Sequence, residues 1–188
     1  MKDRILISDR LGEIRRFLPA LYFVGRFVGL YVVGNILYGW MVESYAPKPD
    51  PATAVVSEQT ANLLSSVGYV TQTQQSVHGP YILLHWSEKN ILAVYEGCNG
   101  LNVMIVFLSF LVGMGPYGKR MLWFVPFGLL IIHGMNLMRI GGLFFVAIYR
   151  PAEFYFIHKY LFTAVLYVVV FLLWIWWLRM SREQLQKI

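Results

Sequence analysis

At 188 residues the chain has the length of one domain, but 57% hydrophobic and 16% aromatic residues with a mean hydropathy of +0.55 exclude an ordinary soluble protein. The formal charge of +6 is no nucleic-acid footprint, because Lys and Arg stand in small clusters beside apolar runs rather than along a basic face. The composition implies a membrane protein whose basic residues set its orientation.

Residues 1–16 mix Lys2, Arg4, Arg10, Arg15 and Arg16 with Ile5, Leu6, Ile7 and Leu11, which predicts a short amphipathic segment on the cytoplasmic surface. A first span follows over 17–42. It is longer than a cleavable signal's apolar core and reads as a signal anchor. Its glycines (Gly25, Gly29, Gly34, Gly39) allow close helix approach, and Arg26 within it either reaches the cytoplasmic face, pairs inside the bundle or serves the site.

Residues 43–97 are the one long polar stretch. Pro47, Pro49 and Pro51 delay any helix until about Ala52. Val56, Leu63, Leu64 and Val67 then recur at helical spacing, predicting an extracytoplasmic amphipathic helix on the membrane face. Tyr81 to Trp86 and Ile91 to Tyr95 are β-prone runs around Ser87-Glu88-Lys89-Asn90, a hairpin that delivers the chain to Cys98. Three more apolar runs, 98–115, 121–138 and 161–178, are each long enough to cross the ~30 Å hydrocarbon core. A basic cytoplasmic turn at 116–120, an extracytoplasmic link at 139–160 and a cytoplasmic tail at 179–188 complete an all-α membrane protein of about four spans. Trp174, Trp176 and Trp177 are expected as an aromatic belt.

With four crossings both termini share a side. Ten basic residues fall on one side (Lys2, Arg4, Arg10, Arg15, Arg16, Lys119, Arg120, Arg179, Arg182, Lys187) and five on the other (Lys48, Lys89, Arg139, Arg150, Lys159), which gives N-in and C-in. Cys98, Arg139 and His158 then stand together at the outer level. A thiol, a cation and an imidazole are the parts of thiol acyl transfer: nucleophile, charge stabiliser and proton carrier. Cys98 is the only cysteine, so neither an intrachain disulfide nor a paired-cysteine redox or zinc motif is open to it. At a helix N-terminus near Arg139 its thiolate would be favoured, with Glu96 opposing.

Asn102 and Asn136 are expected to face the bundle interior near the site. His85 is the reserve base, and His133 an interhelical hydrogen-bonding residue. The sequence has no His-Glu-x-x-His helix, Gly-x-Ser-x-Gly elbow or Walker loop, so neither metal nor nucleotide cofactor is implied.

Glu96-Gly97-Cys98-Asn99-Gly100 before an apolar run, Asn136-Leu137-Met138-Arg139-Ile140 on the next, and His158 before the last together resemble the exosortase/archaeosortase family. Within it the chain is similar to a short, stand-alone exosortase of the F type. The resemblance implies a multi-pass cysteine transpeptidase or protease of the bacterial inner membrane, its site facing outward. Its substrates would be membrane-anchored exported proteins with a C-terminal sorting signal, and Cys98, Arg139 and His158 its catalytic residues. Gly97 and Asn99 depart from the Ser or Ala that commonly flank the family's cysteine. The other class of function is a non-catalytic membrane scaffold for export of surface polymers or proteins, indifferent to loss of the thiol.

Overall fold

A computed structural model describes residues 2–115 and 117–185, with side chains for 17–115 and 117–182. The expected amphipathic segment at 1–16 is helical from Lys2 and continuous with the first span: α1 runs Lys2–Tyr45 through Pro19. Its basic side chains, like Lys187, lie outside the described residues.

Three helical stretches are long and apolar enough to cross a membrane: Phe17–Tyr45, Lys119–Tyr149 and Pro151–Arg182. The fourth apolar helix, α3 (Leu101–Met114), has 14 residues, ~21 Å at ~1.5 Å each. It is shorter than the expected run at 98–115 because Gly100, at φ +84°, starts it late and Gly115, at φ +64°, stops it. Conversely α4 (Lys119–Tyr149) extends past the expected end at 138, through apolar residues up to Arg150, and absorbs the first half of the expected link at 139–160. The second half is helical as well. Pro151–Glu153 forms a 3₁₀ turn, α5 spans Phe154–Phe156, a π-turn covers Ile157–Leu161, and α6 runs Phe162–Leu185.

The four long elements alternate in direction. A Cβ on Gly34 of α1 would meet Ile105 of α3, and one on Gly113 of α3 would meet Phe27 of α1. Phe107 of α3 stacks beside Phe124 of α4, and Phe124 packs on Trp177 of α6. Phe107, Leu111, Phe124, Ile132, Val170, Leu173 and Trp177 form the core of this bundle. The tryptophans do not form the expected belt. Trp177 is buried and its Nε1 donates to the Gly115 carbonyl at 3.0 Å, Trp174 stacks on Phe110 at 4.3 Å, and only Trp176 is exposed. At the same end, Arg26 contacts the Tyr117 hydroxyl and lies 5.3 Å from the Tyr22 ring, so it pairs within the bundle, away from Cys98.

At the other end sits a second core, built from α2 (Pro51–Ser66), a three-stranded sheet and the upper part of α4. α2 does not simply lie on a membrane face. Thr53, Val56, Ser57, Thr60, Ala61 and Leu64 are buried where it packs on α4 and the sheet. Ser57 and Thr60 satisfy their hydroxyls on the carbonyls four residues back, at 2.7 and 2.8 Å, so the polar face can be buried. His133 bonds Gln59 of α2 at 2.7 Å, the interhelical role expected of it. The sheet is antiparallel in the order β1 (Gln72–Gln75), β2 (Tyr81–Trp86), β3 (Lys89–Tyr95). Ser87 and Glu88 both take positive φ, 47° and 63°, making a two-residue hairpin turn tighter than the expected four. Strand β1 was not predicted: Gln-Thr-Gln-Gln has no apolar alternation, and all four residues are exposed.

The bundle's tightest helix contact gives a test. A Cβ on Gly128 of α4 would lie 2.2 Å from Cζ of the fully buried Phe107. Gly128→Ala should therefore destabilise the protein by ~1–3 kcal/mol through overpacking, read as a lowered thermal midpoint in detergent. An unchanged midpoint would contradict this packing.

Candidate active site around Cys98

Strand β3 ends at Tyr95, and the chain turns at once into a 3₁₀ turn, Glu96–Cys98. Cys98 therefore sits on its own turn, three residues before α3, and not at that helix's N-terminus as expected.

The turn is fixed by buried amides. Asn99 is 2% exposed; its Oδ1 accepts from the Leu101 N–H at 3.0 Å, and its Nδ2 donates to the Tyr38 hydroxyl at 3.0 Å and the Thr53 hydroxyl at 3.3 Å. Tyr38 in turn donates to the Glu96 carbonyl at 2.7 Å. Asp50, also 2% exposed, caps α2 by accepting from the N–H groups of Ala52 and Thr53 at 3.0 and 3.1 Å and from the Thr53 hydroxyl at 2.5 Å. One residue, Asn99, thus joins α1, α2 and the start of α3. Asn136 of α4 closes the remaining side, donating to the Cys98 carbonyl at 2.9 Å. Gly100 admits it: a Cβ there would stand 3.1 Å from the Asn136 side chain, on a left-handed backbone that favours glycine anyway.

Arg139 lies one turn farther along α4 and bonds Asn136 Oδ1 at 3.4 Å. Its Nε and the Glu96 Oε2 are buried without a hydrogen-bond partner among the described residues. His158 arrives from the last helical stretch, in the π-turn Ile157–Leu161, with its ring stacked on Phe154 at 5.8 Å and 8°. A π-turn carries one extra residue per turn and is a frequent device for aiming a functional side chain out of a helix.

Cys98 and His158 line the same cavity, of about 300 Å³, together with Ile91–Tyr95 of β3, Ile140 and Leu143 of α4, and Phe154. Arg139 joins the same end through Asn136, which bonds both its guanidinium and the Cys98 carbonyl. The three residues picked out from the sequence are thereby gathered at one end of the bundle. His85 is not among them; it lines a separate, more polar cavity of about 610 Å³ beside Gln72, Thr73 and Gln74. Asn102 is exposed on α3 and takes no part in the network. Sequence reasoning missed Tyr38, Asp50 and Thr53. The Asp50-Pro51 pair, an N-cap aspartate before a proline at the first helical position, was a usable signal for two of them. Tyr38 carries none within an apolar span.

With this geometry in place, the comparison with protein families is direct. The family described as transmembrane exosortase (Exosortase_EpsH) matches residues 19–177, so the chain belongs to it. No curated protein and no solved structure gives a match. The family is generally cysteine transpeptidase-like, acting on exported proteins at the membrane.

The amide clamp predicts a measurable looseness when it is cut. Asn136→Ala should cost about 1 kcal/mol for the half-buried Cys98 carbonyl left unpaired. It should also speed alkylation of Cys98 several-fold. Because Cys98 is the only thiol, one maleimide rate reports the turn alone. Wild-type stability with a wild-type rate would show that Asn136 does not hold it.

Proposed function

We propose that this exosortase is a cysteine transpeptidase or protease that cleaves C-terminal sorting signals of exported, membrane-anchored proteins through a Cys98 thioester. The observation that carries it is the shared cavity: Cys98 and His158, about sixty residues apart in the chain, line one small space, and Arg139 bonds the same Asn136 that holds the Cys98 carbonyl.

In this reading the Cys98 thiolate attacks the scissile carbonyl, a carbon–sulfur bond forms, and the carbon–nitrogen bond breaks. His158, having taken the thiol proton, returns it to the departing amine, and the tail leaves. Arg139, whose Nε has no partner among the described residues, holds the oxyanion that develops on the carbonyl oxygen. An incoming amine or water then attacks the thioester, gives its proton to His158 and expels the sulfur. An amine makes the enzyme a transpeptidase; water makes it a protease. Asn136 positions both partners, through the Cys98 carbonyl on one side and the Arg139 guanidinium on the other.

The topology belongs to the same proposal. Four crossings, with the short α3 as the second, place both termini inside and the cavity at the outer face of a bacterial inner membrane. Two features support it: the alternating helix directions, and the gathering of Lys119, Arg120, Arg179 and Arg182 at the end opposite Cys98. Arg120 also donates to the Met180 carbonyl at 3.0 Å, closing that end.

The test is to express Cys98→Ala, Arg139→Ala and His158→Ala beside a co-encoded exported protein bearing a C-terminal span and basic tail, and to follow that protein's length. Cys98→Ala should abolish shortening. His158→Ala should slow it by ~10²–10⁴ and Arg139→Ala by ~10²–10³. If all three variants process like wild type, the chain is a scaffold instead.

A further inference from the structure

The cavity at Cys98 has an unusual wall. Side chains of a strand alternate between its two faces, so a cavity on one face is lined by every second residue. Here five successive residues, Ile91 to Tyr95, all line it. Such a cavity runs along the strand's edge, where backbone groups are presented. β3 is an outer strand, paired with β2 on one side only. Among the described residues, none of 89–95 makes a backbone hydrogen bond to any element except β2. In an antiparallel pair every second residue of an outer strand turns its N–H and C=O away from its partner, so β3 offers a row of unused donors and acceptors to the cavity.

The other walls are apolar. Ile140 and Leu143 of α4 and Phe154 beside His158 supply no backbone partner, since their own main chains are helical. A polypeptide drawn into this space to reach the thiol loses its hydration, and each unpaired amide then costs several kcal/mol near a membrane. The free edge of β3 is where that cost can be met. The opposite edge of the sheet, β1, is fully exposed, lies on the far side of β2 from Cys98, and presents only Gln-Thr-Gln-Gln.

We infer that the substrate is bound as an added β-strand: the extended segment just ahead of its membrane span pairs with the open edge of β3. β3 runs directly into the Cys98 turn. A strand in register with it would therefore be guided along Ile91–Tyr95 until a carbonyl lies over the sulfur. Backbone pairing supplies affinity without regard to side chains, and the apolar walls select apolar side chains at alternate positions. This rests on the cysteine-peptidase reading of the same site and adds how the scissile bond is brought to it.

The lone cysteine makes the test clean. In full-length Cys98→Ala protein in lipid nanodiscs, Ile91→Cys, Ala93→Cys or Tyr95→Cys would supply the enzyme's only thiol. The probe is the co-encoded exported protein, carrying one cysteine at successive positions ahead of its span, under mild oxidation. Opposed Cβ atoms of paired strands lie ~4.5–5.5 Å apart and diagonal ones ~7–8 Å, while a disulfide spans ~3.5–4.5 Å. In-register pairs should thus give about tenfold more adduct than their neighbours, and the preferred substrate position should step by two from Ala93 to Tyr95, with the bulge at Ile91 displacing the register there. In parallel, native Cys98 protein is assayed for a hydroxylamine-sensitive adduct with the same probe. Capture by Cys98 without a ladder overturns strand addition and leaves the thiol chemistry standing. A ladder without capture overturns the chemistry and keeps the docking edge. Neither result overturns both.

Discussion

The side chain of Asn99 is the joint on which the site depends. An amide with almost no exposure must spend its donors and acceptor inside the protein, and Asn99 does so on partners from three elements: Tyr38, Thr53 and the N–H of Leu101. Those partners are far apart in sequence, and each brings its own element. Tyr38 ties in the first span, Thr53 brings α2 with its Asp50 cap, and Leu101 begins α3. Low local dielectric strengthens each bond and raises the cost of breaking one, so the cluster holds the Glu96–Cys98 turn as a unit. A thiol on such a turn keeps its position although only a single 3₁₀ turn joins β3 to α3 there.

The bundle sets where that turn sits. Antiparallel packing of α1, α3, α4 and α6 puts Tyr38, Asn99, Asn136 and the start of α6 at one end, and Arg26, Tyr117, Phe124 and Trp177 at the other. Tyr38 lies ~18 Å farther along α1 than Arg26, and Arg139 ~30 Å along α4 from Lys119, at ~1.5 Å per residue. The second length matches the ~30 Å hydrocarbon core of a bilayer, and the first covers only part of it. The second core, at the Cys98 end, walls the cavity with strand β3 in place of a loose loop.

Much of this was legible in the sequence because a membrane imposes long-period signals. Apolar runs, the hairpin before Cys98, and the common level of Cys98, Arg139 and His158 follow from counting and alternation. Boundaries fared worse where local backbone chemistry overrides hydropathy. Gly100 delays α3, and apolar residues up to Arg150 extend α4 beyond the expected hydrocarbon edge. The Trp cluster misled for a related reason: an apolar ring at a span end fits both a belt and a core, and the Gly115 carbonyl decides for the core at Trp177. The polar hub was hidden because its members are ordinary residues in unrelated segments. Nothing in periodicity connects Tyr38 with Asp50 and Asn99. β1 was invisible for want of any apolar alternation.

The fold brings Cys98 and His158 into one cavity. Whether it does so in the membrane-inserted protein is read by adding a single thiol, His158→Cys, to the native chain in lipid and treating it with a short bifunctional thiol reagent, with Tyr117→Cys as the distant control. An internal cross-link between Cys98 and position 158 should form far faster than any with position 117. Independent labelling of the two thiols, with no more cross-linking at 158 than at 117, would contradict it.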